Sequence, residues 1–303
     1  MDDEIKEKYI KAGKIASQVK EESRKIVKVG SRLLEIAETL ERMIKEKGGQ
    51  PAFPLNLSLN ELAAHYTPYK GDETEIKKGD VIKIDMGVHV DGYVADTAYT
   101  ISFSEAHEKL SEASKQALEN AIAVVKPGAL ISDISSKIEE TILGYGFNPV
   151  SNLTGHGLEN YHLHAEPQIP NVKFQGTKRL SEGQTIAIEP FATTGAGRIK
   201  ETEPILIFMF IKPRPVRNQD ARKIIEYVQR YNGLPFAERW LTSSEAIGFG
   251  LPDSLFKIRI ALKELREKGV IYDYAPLKEI ANGFVSQHEH TVIVEEEPIV
   301  TTR

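Results

Sequence analysis

Two carboxylates, Asp85 and Asp96, interrupt a stretch that is otherwise rich in Val, Ile and Tyr. The pair Asp91-Gly92 between them predicts a two-residue type I′ turn, because both positions of that turn need residues that tolerate a positive φ. In the resulting hairpin both carboxylates lie on one face as diagonal neighbours, with Cβ atoms roughly 7–8 Å apart. Buried charges of this kind need a cation, an Arg or Lys, or water to neutralise them, and a wet strand face is the alternative.

Three of the eight histidines, His156, His162 and His164, fall within a stretch of nine residues. Glycine stands on both sides of His156 and the stretch has no helical period, so we expect a loop or a short strand. An imidazole is a common metal ligand and also an acid or base near neutral pH. The cluster therefore favours a metal or acid–base site over a polar surface loop.

A short repeat relates two strands of the chain. Residues 78–85 read KGDVIKID and residues 182–189 read EGQTIAIE, so that a Gly, two Ile and a final acid recur 104 residues apart. The repeat suggests two related halves, each of which places one carboxylate at the same point of an equivalent strand. Two such halves facing each other would bring Asp85 and Glu189 to one centre.

A further acid lies in residues 283–295, which alternate in polarity as a β-strand does. The period of two puts His288 and His290 on one face of this strand and Glu289 on the other. A glutamate that faces inward from a strand again needs a cation to balance its charge.

Together these positions form a set of four carboxylates and one imidazole: Asp85, Asp96, His156, Glu189 and Glu289. Four carboxylates balance the charge of two divalent ions, and mostly oxygen ligands with one nitrogen suit Mn, Fe, Co or Zn. Two ions about 3.5–4 Å apart activate water and stabilise an oxyanion. The chemistry implied is hydrolysis of an unactivated bond.

The elements that would hold these residues are both helices and strands. Residues 3–47 have the apolar spacing of two helices, and residues 105–126 and 132–145 each predict another. Residues 205–211 are a continuous apolar run that fits a buried strand. Residues 214–272 lose the strand pattern and predict a helical subdomain that is inserted before the last strands.

Composition limits the class of protein. The 303 residues carry a net charge of −5, with 41% apolar and 27% charged residues, as in a globular protein of one or two domains and without the basic excess of a nucleic-acid-binding protein. The absence of Cys excludes disulfides, thiolate metal sites and Cys nucleophiles. No apolar run reaches the roughly 18 residues of a membrane span and the charged N-terminus is not a secretory signal, so we expect a cytoplasmic protein.

Several motifs of the chain resemble one family. The segments FPLNLSLNELAAHYTPYKGD, KIDMGVHVDGYVADTAY, NLTGHGLENYHLH, AIEPFAT and QHEHTVIV, within Pro51 to Val294, are similar to those of type 2 methionine aminopeptidases of the archaeal kind. The resemblance implies the pita-bread (creatinase/aminopeptidase) fold, an α/β (α+β) fold with two pseudo-twofold halves. It also implies a catalytic domain of residues 1–213 and 273–303, whose N-terminal helices occupy 1–48, and a helical insertion of residues 214–272.

The resemblance further implies a metalloexopeptidase that removes the N-terminal methionine from nascent proteins and peptides when the second residue is small. The five residues above would hold two divalent ions (Co, Mn, Fe or Zn), and Glu189 would also be the general base. His65 would lie near the scissile amide, and His164 would hydrogen-bond the substrate carbonyl and the developing oxyanion. The methionine pocket, beside these two histidines, would be lined by Phe53, Leu163, Phe191, Ile207 and Tyr274.

Nascent polypeptide N-termini are the partners that this activity implies, and a contact with the ribosome stays open. We expect a monomer with no membrane partner and no specific nucleic-acid partner. The sequence departs from the family at His288, where Phe is usual, and it assigns no role to His162.

Two alternative functions stay open. A prolidase or aminopeptidase P of the same fold, which acts on Xaa-Pro peptides, would place a substantial domain ahead of the first ligand, whereas two helices and a loop precede Asp85 here. A non-catalytic adaptor that binds RNA or the ribosome would be expected to have lost ligands, and all five are present.

Overall fold

A computed structural model describes residues 1–303, and its helices follow the apolar stripes of the sequence. The four helices predicted before residue 150 are present, although the third begins with a 3₁₀ turn and ends at Ile122. Three 3₁₀ turns cover Glu105–His107, Gln229–Tyr231 and Glu238–Thr242. The α-helices are α1 (Asp3–Ser23), α2 (Leu33–Glu46), α3 (Glu108–Ile122), α4 (Ile131–Gly144), α5 (Gln219–Val228), α6 (Ser244–Phe249) and α7 (Leu255–Glu267). None of them combines the length and the apolar character that crossing a membrane requires.

Eighteen strands, most of them short, form five separate sheets. The strands are β1 (Gln50–Pro51), β2 (Asn56–Leu59), β3 (Leu62–Ala64), β4 (Val81–Val90), β5 (Tyr93–Ser102), β6 (Asn148–Pro149), β7 (Thr154–Glu159), β8 (His162–Pro170), β9 (Thr185–Ile188), β10 (Phe191–Thr193), β11 (Ile199–Glu201), β12 (Ile207–Phe210), β13 (Phe236–Ala237), β14 (Ile271–Tyr274), β15 (Leu277–Glu279), β16 (Val285–Gln287), β17 (His290–Ile293) and β18 (Ile299–Val300).

The hairpin of β4 and β5 has the predicted register. Asp91 and Gly92 adopt φ values of +52° and +86°, as a type I′ turn requires. Gly87 therefore lies opposite Asp96, and Asp85 lies opposite Ala98. The prediction that both carboxylates share one face of the hairpin is confirmed.

Two sheets, each covered by two helices, form the two halves of the molecule. In the first, β1, β4 and β2 are neighbours, β5 pairs with β4, and α1 and α2 enclose a core of 19 buried side chains against them. In the second, the strand order is β18-β17-β9-β7-β8, and α3 and α4 enclose a core of 18 buried side chains. This arrangement of two helix-covered sheets agrees with the predicted fold class.

The sequence repeat corresponds to a repeated backbone pattern. The amide of Gly79 donates to the carbonyl of Phe103 just before β4, and the amide of Gly183 donates to the carbonyl of Val294 just before β9. Both glycines have a positive φ, +99° and +74°, so the chain enters both strands through the same kind of turn. The repeat therefore marks equivalent points of the two halves.

Hydrogen bonds between β5 and the segment around β17 join the two halves. The amide of Glu289 donates to the carbonyl of Ala98 at 2.9 Å, and the hydroxyl of Thr97 donates to the carbonyl of Glu289 at 2.9 Å. The hydroxyl of Thr291 donates to the carbonyl of Asp96 at 2.9 Å. The carboxylates of the two halves consequently meet where the sheets adjoin.

The segment 214–272 supplies 15 of the 16 buried side chains of a third core, and Phe208 of β12 supplies the other. This core is built on α5, α6 and α7 and on the strands beneath them. The segment is not entirely helical, because β13 and β14 both pair with β12. In that small sheet Ile207 lies opposite Tyr274, at the base of the segment. The division of the chain at residues 213 and 273 stays a prediction.

Candidate metal centre

The five predicted ligands come from five different segments and face one cavity. They are Asp85 on β4, Asp96 on β5, His156 on β7, Glu189 directly after β9 and Glu289 directly before β17. The first two belong to one half of the molecule and the other three to the second half. The cavity between the halves therefore collects four carboxylates and one imidazole.

Three of these residues already have the spacing of a metal site. Ligand atoms of Asp96, His156 and Glu289 all lie within 4.8 Å of one another, and all three side chains are buried. The Nε2 atom of His156 lies 3.8 Å from Oδ2 of Asp96 and 3.9 Å from Oε1 of Glu189. Asp85 lines the same cavity outside this closest group.

The four carboxyl groups have no positively charged side chain of the protein to balance them when they ionise. One oxygen each of Asp85, Asp96 and Glu289 is buried and has no hydrogen-bond partner, and no Lys or Arg lines the cavity. Neutralisation by an Arg or Lys is thereby excluded, which leaves a cation or water. An oxygen-rich set of buried acceptors that lack donors fits a divalent cation.

Burial raises the pKa of each of these carboxyl groups. It raises the pKa of Asp85 to about 7, against an ordinary value of 3.8. Burial, and then the charges of neighbouring carboxylates, hold the pKa values of Asp96, Glu189 and Glu289 well above their usual range. Protons therefore occupy this site readily until a cation displaces them.

His156 presents the nitrogen that a metal ligand needs. Its Nδ1 atom lies 3.2 Å from the carbonyl of Gly157, so Nδ1–H donates there and Nε2 is left as the acceptor that faces the carboxylates. Burial, followed by the neighbouring His164, lowers the pKa of His156 to about 3. The ring is neutral near pH 7, which is the form that binds a metal.

The glycines on both sides of His156 allow close approach of neighbouring backbone. A Cβ atom on Gly155 would lie 2.4 Å from the carbonyl oxygen of Ala187, and one on Gly157 would lie 2.1 Å from that of Glu166. Any side chain at either position would push β7 away from its neighbours. The Gly-His-Gly sequence thus lies within a strand, the second of the two expected conformations.

Gln287 is a residue of the site that the sequence analysis missed. Its Nε2 atom donates to Oε2 of Glu189 at 3.2 Å, while its own Oε1 atom is buried without a partner. The signal was its place two residues before Glu289, which puts both side chains on one strand face. Gln287 holds one oxygen of Glu189 and leaves the other free.

The whole cavity has a volume of about 220 Å³, and it continues from the carboxylates into an apolar pocket. The structure places all twelve predicted site residues on its wall, including Phe53, Leu163, Phe191, Ile207 and Tyr274. Six further residues line it that the sequence analysis did not select: Asn56, Ala64, Asn152, Leu153, Thr154 and Pro235. They come from loops and strand ends whose positions no local pattern indicates.

His65 and His164 lie side by side near the carboxylates. Both rings contact Tyr274, with centroids 5.4 Å and 5.8 Å from its ring, and His164 lies 4.7 Å from His156. His65 has a φ of +64°, a strained conformation for a residue with a side chain, and its Nδ1 atom lies 3.2 Å from the carbonyl of Ala275.

The surrounding protein keeps both of these rings uncharged near neutral pH. Burial lowers the pKa of His65 to about 4, and it lowers the pKa of His164 to about 4 although that ring stays open to the cavity. A neutral imidazole carries one N–H donor and one acceptor nitrogen. The N–H of His65 is used by the carbonyl of Ala275, so its Nε2 atom is left as an acceptor, whereas His164 can donate its N–H to a bound molecule.

Phe53 reaches the pocket because its neighbour on β4 is a glycine. A Cβ atom on Gly87 would lie 2.3 Å from the ring of Phe53. The two histidines without an assigned role, in contrast, point elsewhere. His162 is exposed and pairs with Glu159 at 3.5 Å, and His288 is bonded to the hydroxyl of Ser114 at 2.9 Å, away from Glu289.

Comparison with known proteins gives both a family and close relatives. The model of metallopeptidase family M24 matches residues 7–296. A methionine aminopeptidase of Thermococcus onnurineus is 53% identical over 294 residues, which cover 96% of this chain and 97% of the relative.

Solved structures show the same fold at lower identity. A methionine aminopeptidase of Thermotoga maritima aligns with a TM-score of 0.72 and 24% identity, over 100% of this chain and 98% of the other. A thermophilic Arx1 aligns with a TM-score of 0.82 and 20% identity, over 99% and 91% of the two chains.

Proposed function

The chain belongs to metallopeptidase family M24, and we propose that it removes the N-terminal methionine from nascent proteins and peptides whose second residue is small. The observation that carries this proposal is the buried cluster of unpartnered carboxylates at the end of an apolar pocket. Hydrolysis of an amide needs the metal-binding carboxylates, and selection of a methionine side chain needs the apolar pocket.

Two divalent ions, of Co, Mn, Fe or Zn, would balance the four carboxylates. Asp85, Asp96, His156, Glu189 and Glu289 would hold them, because these side chains face one cavity and three of the four carboxylates keep a buried oxygen without a partner. When bound, such ions supply positive charge that makes water a better nucleophile and polarises the scissile carbonyl.

The general base in this proposal is Glu189. Gln287 occupies its Oε2 atom, and the free Oε1 atom faces the cavity beside His156. That oxygen takes a proton from the attacking water and passes it to the leaving amine, which is the usual cycle of a carboxylate base.

His65 and His164 stabilise the reacting amide. Both rings are neutral near pH 7, since burial lowers their pKa values to about 4. His164 has an N–H to donate, whereas the N–H of His65 goes to the carbonyl of Ala275 and its Nε2 atom is left as an acceptor. His164, which is next to the metal ligand His156, donates to the substrate carbonyl as it becomes an oxyanion. His65 lies at the side of the scissile amide, where Tyr274 and the carbonyl of Ala275 fix its ring.

The apolar part of the cavity selects the substrate. Phe53, Leu163, Phe191, Ile207 and Tyr274 would enclose the thioether side chain, which gains free energy by leaving water. A large second residue would collide with the two histidines at the mouth of this pocket, so a small one is preferred.

The same proposal covers the setting of the reaction. We expect a monomer that acts in the cytoplasm on N-termini as they leave the ribosome. The net charge of −5 offers no general attraction to nucleic acid, so a ribosome contact would need a specific surface.

Peptide hydrolysis tests the function directly. Metal-stripped protein, with Mn, Co, Fe or Zn added back, should release methionine from Met-Gly-Met-Met but not from Met-Lys-Met-Met. The Glu189→Gln variant should lose about 10²–10⁴-fold in kcat, whereas the same change at exposed Glu182, in the turn before β9, should not alter kcat. Turnover of Xaa-Pro peptides alone would indicate a prolidase-like enzyme. Tight RNA binding with no turnover under any metal would indicate an adaptor.

A further inference from the structure

A buried ion pair joins the insertion to the N-terminal helices. The guanidinium of Arg239, in the 3₁₀ turn Glu238–Thr242, contacts the carboxylate of Glu41 on α2. Both residues are buried, with 6% and 8% of their surface exposed. The indole of Trp240 donates to the second carboxylate oxygen at 2.9 Å. This pair lies outside the metal centre, and the proposed reaction does not use it.

The pair also holds the backbone of a third segment. The amide of Leu55 donates to Oε1 of Glu41 at 3.0 Å. Arg239 donates to the hydroxyl of Thr67 and to the carbonyl of Pro68, and the Thr67 hydroxyl donates in turn to the carbonyl of Leu55 at 2.8 Å. The amide of Leu55 is therefore satisfied by Glu41 and its carbonyl by Thr67, whose hydroxyl is itself held by Arg239, rather than by a neighbouring strand.

The held segment is the one that carries part of the cavity wall. Phe53, Asn56, Ala64 and His65 all lie between residues 53 and 67 and line the cavity. Leu55 lies between the first two of these, and Thr67 follows His65 by two residues. His65 has a left-handed φ of +64°, a conformation that persists only where the surroundings hold it.

We propose that Glu41 and Arg239 are positioning residues through which the insertion holds Phe53 and His65 in the catalytic cavity. This inference rests on the proposed function, since its consequence is a dependence of methionine release on an ion pair outside the cavity. None of the five metal ligands lies in residues 53–67, and only Asp85 lies opposite a residue of this segment, Asn56 of β2. The pair therefore acts on substrate binding and turnover more than on metal binding.

The test is the double variant Glu41→Leu/Arg239→Met, which removes the pair without leaving either charge buried alone. With metal-loaded protein and Met-Gly-Met-Met, kcat/KM should fall at least tenfold. Displacement of Phe53 from the methionine pocket should raise KM, and displacement of His65 should lower kcat. Metal content should match the wild type. Hydrogen exchange should quicken in residues 53–67 and stay unchanged in β7 and β9. The single variant Arg239→Lys, which still donates to Glu41, should retain most of the wild-type activity.

The matched control is a second ion pair of the insertion. Arg259 binds Glu238 through two hydrogen bonds of 2.9 Å, and neither side chain hydrogen-bonds to the segment 53–67. Glu238→Leu/Arg259→Met should therefore leave KM and kcat unchanged. Wild-type kinetics in the first double variant, or an equal loss in the control, would overturn the inference. Absence of methionine release from the wild type would instead refute the proposed function, and the exchange data would still decide the positioning.

Discussion

The carboxyl groups of the metal centre repel one another and are shielded from water, so their charged form is costly without a cation. Burial raises the pKa of Asp85 to about 7, and the pKa values of Asp96, Glu189 and Glu289 lie well above their usual range. A group whose pKa is raised in the folded state stabilises the protein fully at pH values below its unfolded-state pKa. This contribution is lost as the pH rises through its folded-state pKa.

The stabilising effect of metal on the folded protein should therefore grow between pH 6.5 and pH 8. In this window metal-free Asp85 loses its proton and adds a negative charge to the buried cluster, while the same group is already deprotonated in the metal-loaded site. Buried His65 does not titrate between pH 6.5 and pH 8, since its pKa in the folded protein is about 4. The lowered pKa of buried Lys83 affects the metal-free and the metal-loaded protein equally. Thermal melts with EDTA and with Mn across this range measure the difference in Tm.

The Asp85→Asn variant should reduce that pH dependence, because it removes the group whose pKa lies inside the window. The exposed Glu182→Gln serves as the control and should leave it unchanged. A difference in Tm that is constant from pH 6.5 to pH 8 would contradict the assignment of these carboxylates to a cation site.

His164 should contribute mainly to the transition state. Since its neutral ring donates to the oxyanion, His164→Asn is expected to lower kcat about 10²–10³-fold with little change in bound metal. His162→Asn is the matched control, because His162 is exposed on the same strand and pairs only with Glu159. Steady-state kinetics on Met-Gly-Met-Met, with metal analysis, distinguish the two, and equal losses would remove the role of His164.

Some details of single residues could not be predicted from the sequence. The four carboxylates stood out because charged residues interrupted apolar strands, and His156 stood out because it belongs to a cluster of three histidines within nine residues. Gln287 did not, since a polar residue in a strand has many other uses. The hydrogen bond from His156 to Gly157, which decides which ring nitrogen is free, depends on backbone geometry that no residue type reveals.

At the scale of elements, the hairpin was predictable because a two-residue turn fixes its register locally. Asp91-Gly92 alone sets Asp85 opposite Ala98. The glycines around His156 were harder to interpret, because the same residues serve loops and closely packed strands. Here the reason for Gly155 and Gly157 is the backbone oxygens of other strands, which are distant in sequence.

Gly155→Ala should weaken both the fold and the metal site. The new methyl group would lie 2.4 Å from the carbonyl oxygen of Ala187, so β7 must shift and move His156. Such overpacking costs about 1–3 kcal/mol in the free energy of unfolding, and metal affinity should fall with it. Urea unfolding and Mn titration measure these two effects.

Gly144→Ala is the control for that substitution. Gly144 ends α4, and no atom lies within 4 Å of the position that its Cβ would take. Alanine is a better helix former than glycine, so we expect no loss and up to about 1 kcal/mol of added stability. Destabilisation by both substitutions alike would mean that glycine loss in general, and not the contact with β9, is responsible.

At the scale of the whole molecule, the repeat of residues 78–85 and 182–189 was enough to predict two halves with a shared centre. The docking of the insertion was not predictable. Arg239 and Glu41 are 198 residues apart, and each looks like an ordinary charge on an amphipathic element. Only the folded chain shows that both are buried and that they hold the segment with Phe53 and His65.

Metal binding should tie the two halves together. Asp85 and Asp96 belong to the first half and His156, Glu189 and Glu289 to the second, so a cation bound by both sets links two separate cores. A ligand at 100 times its Kd adds about 2.7 kcal/mol of stability, which corresponds to a rise of several degrees in Tm. Hydrogen exchange should slow in strands of both halves when Mn is added.

The same substitution at two points of one hairpin separates this linkage from a general effect of charge. Asp96→Asn removes a ligand and should abolish the rise in Tm and the slowed exchange on Mn addition. Asp91→Asn makes the identical chemical change in the exposed turn, where Asn adopts a positive φ as readily, and should respond as the wild type does. Protection confined to one half in the wild type would mean that the cation does not bridge the halves, whatever its effect on Tm.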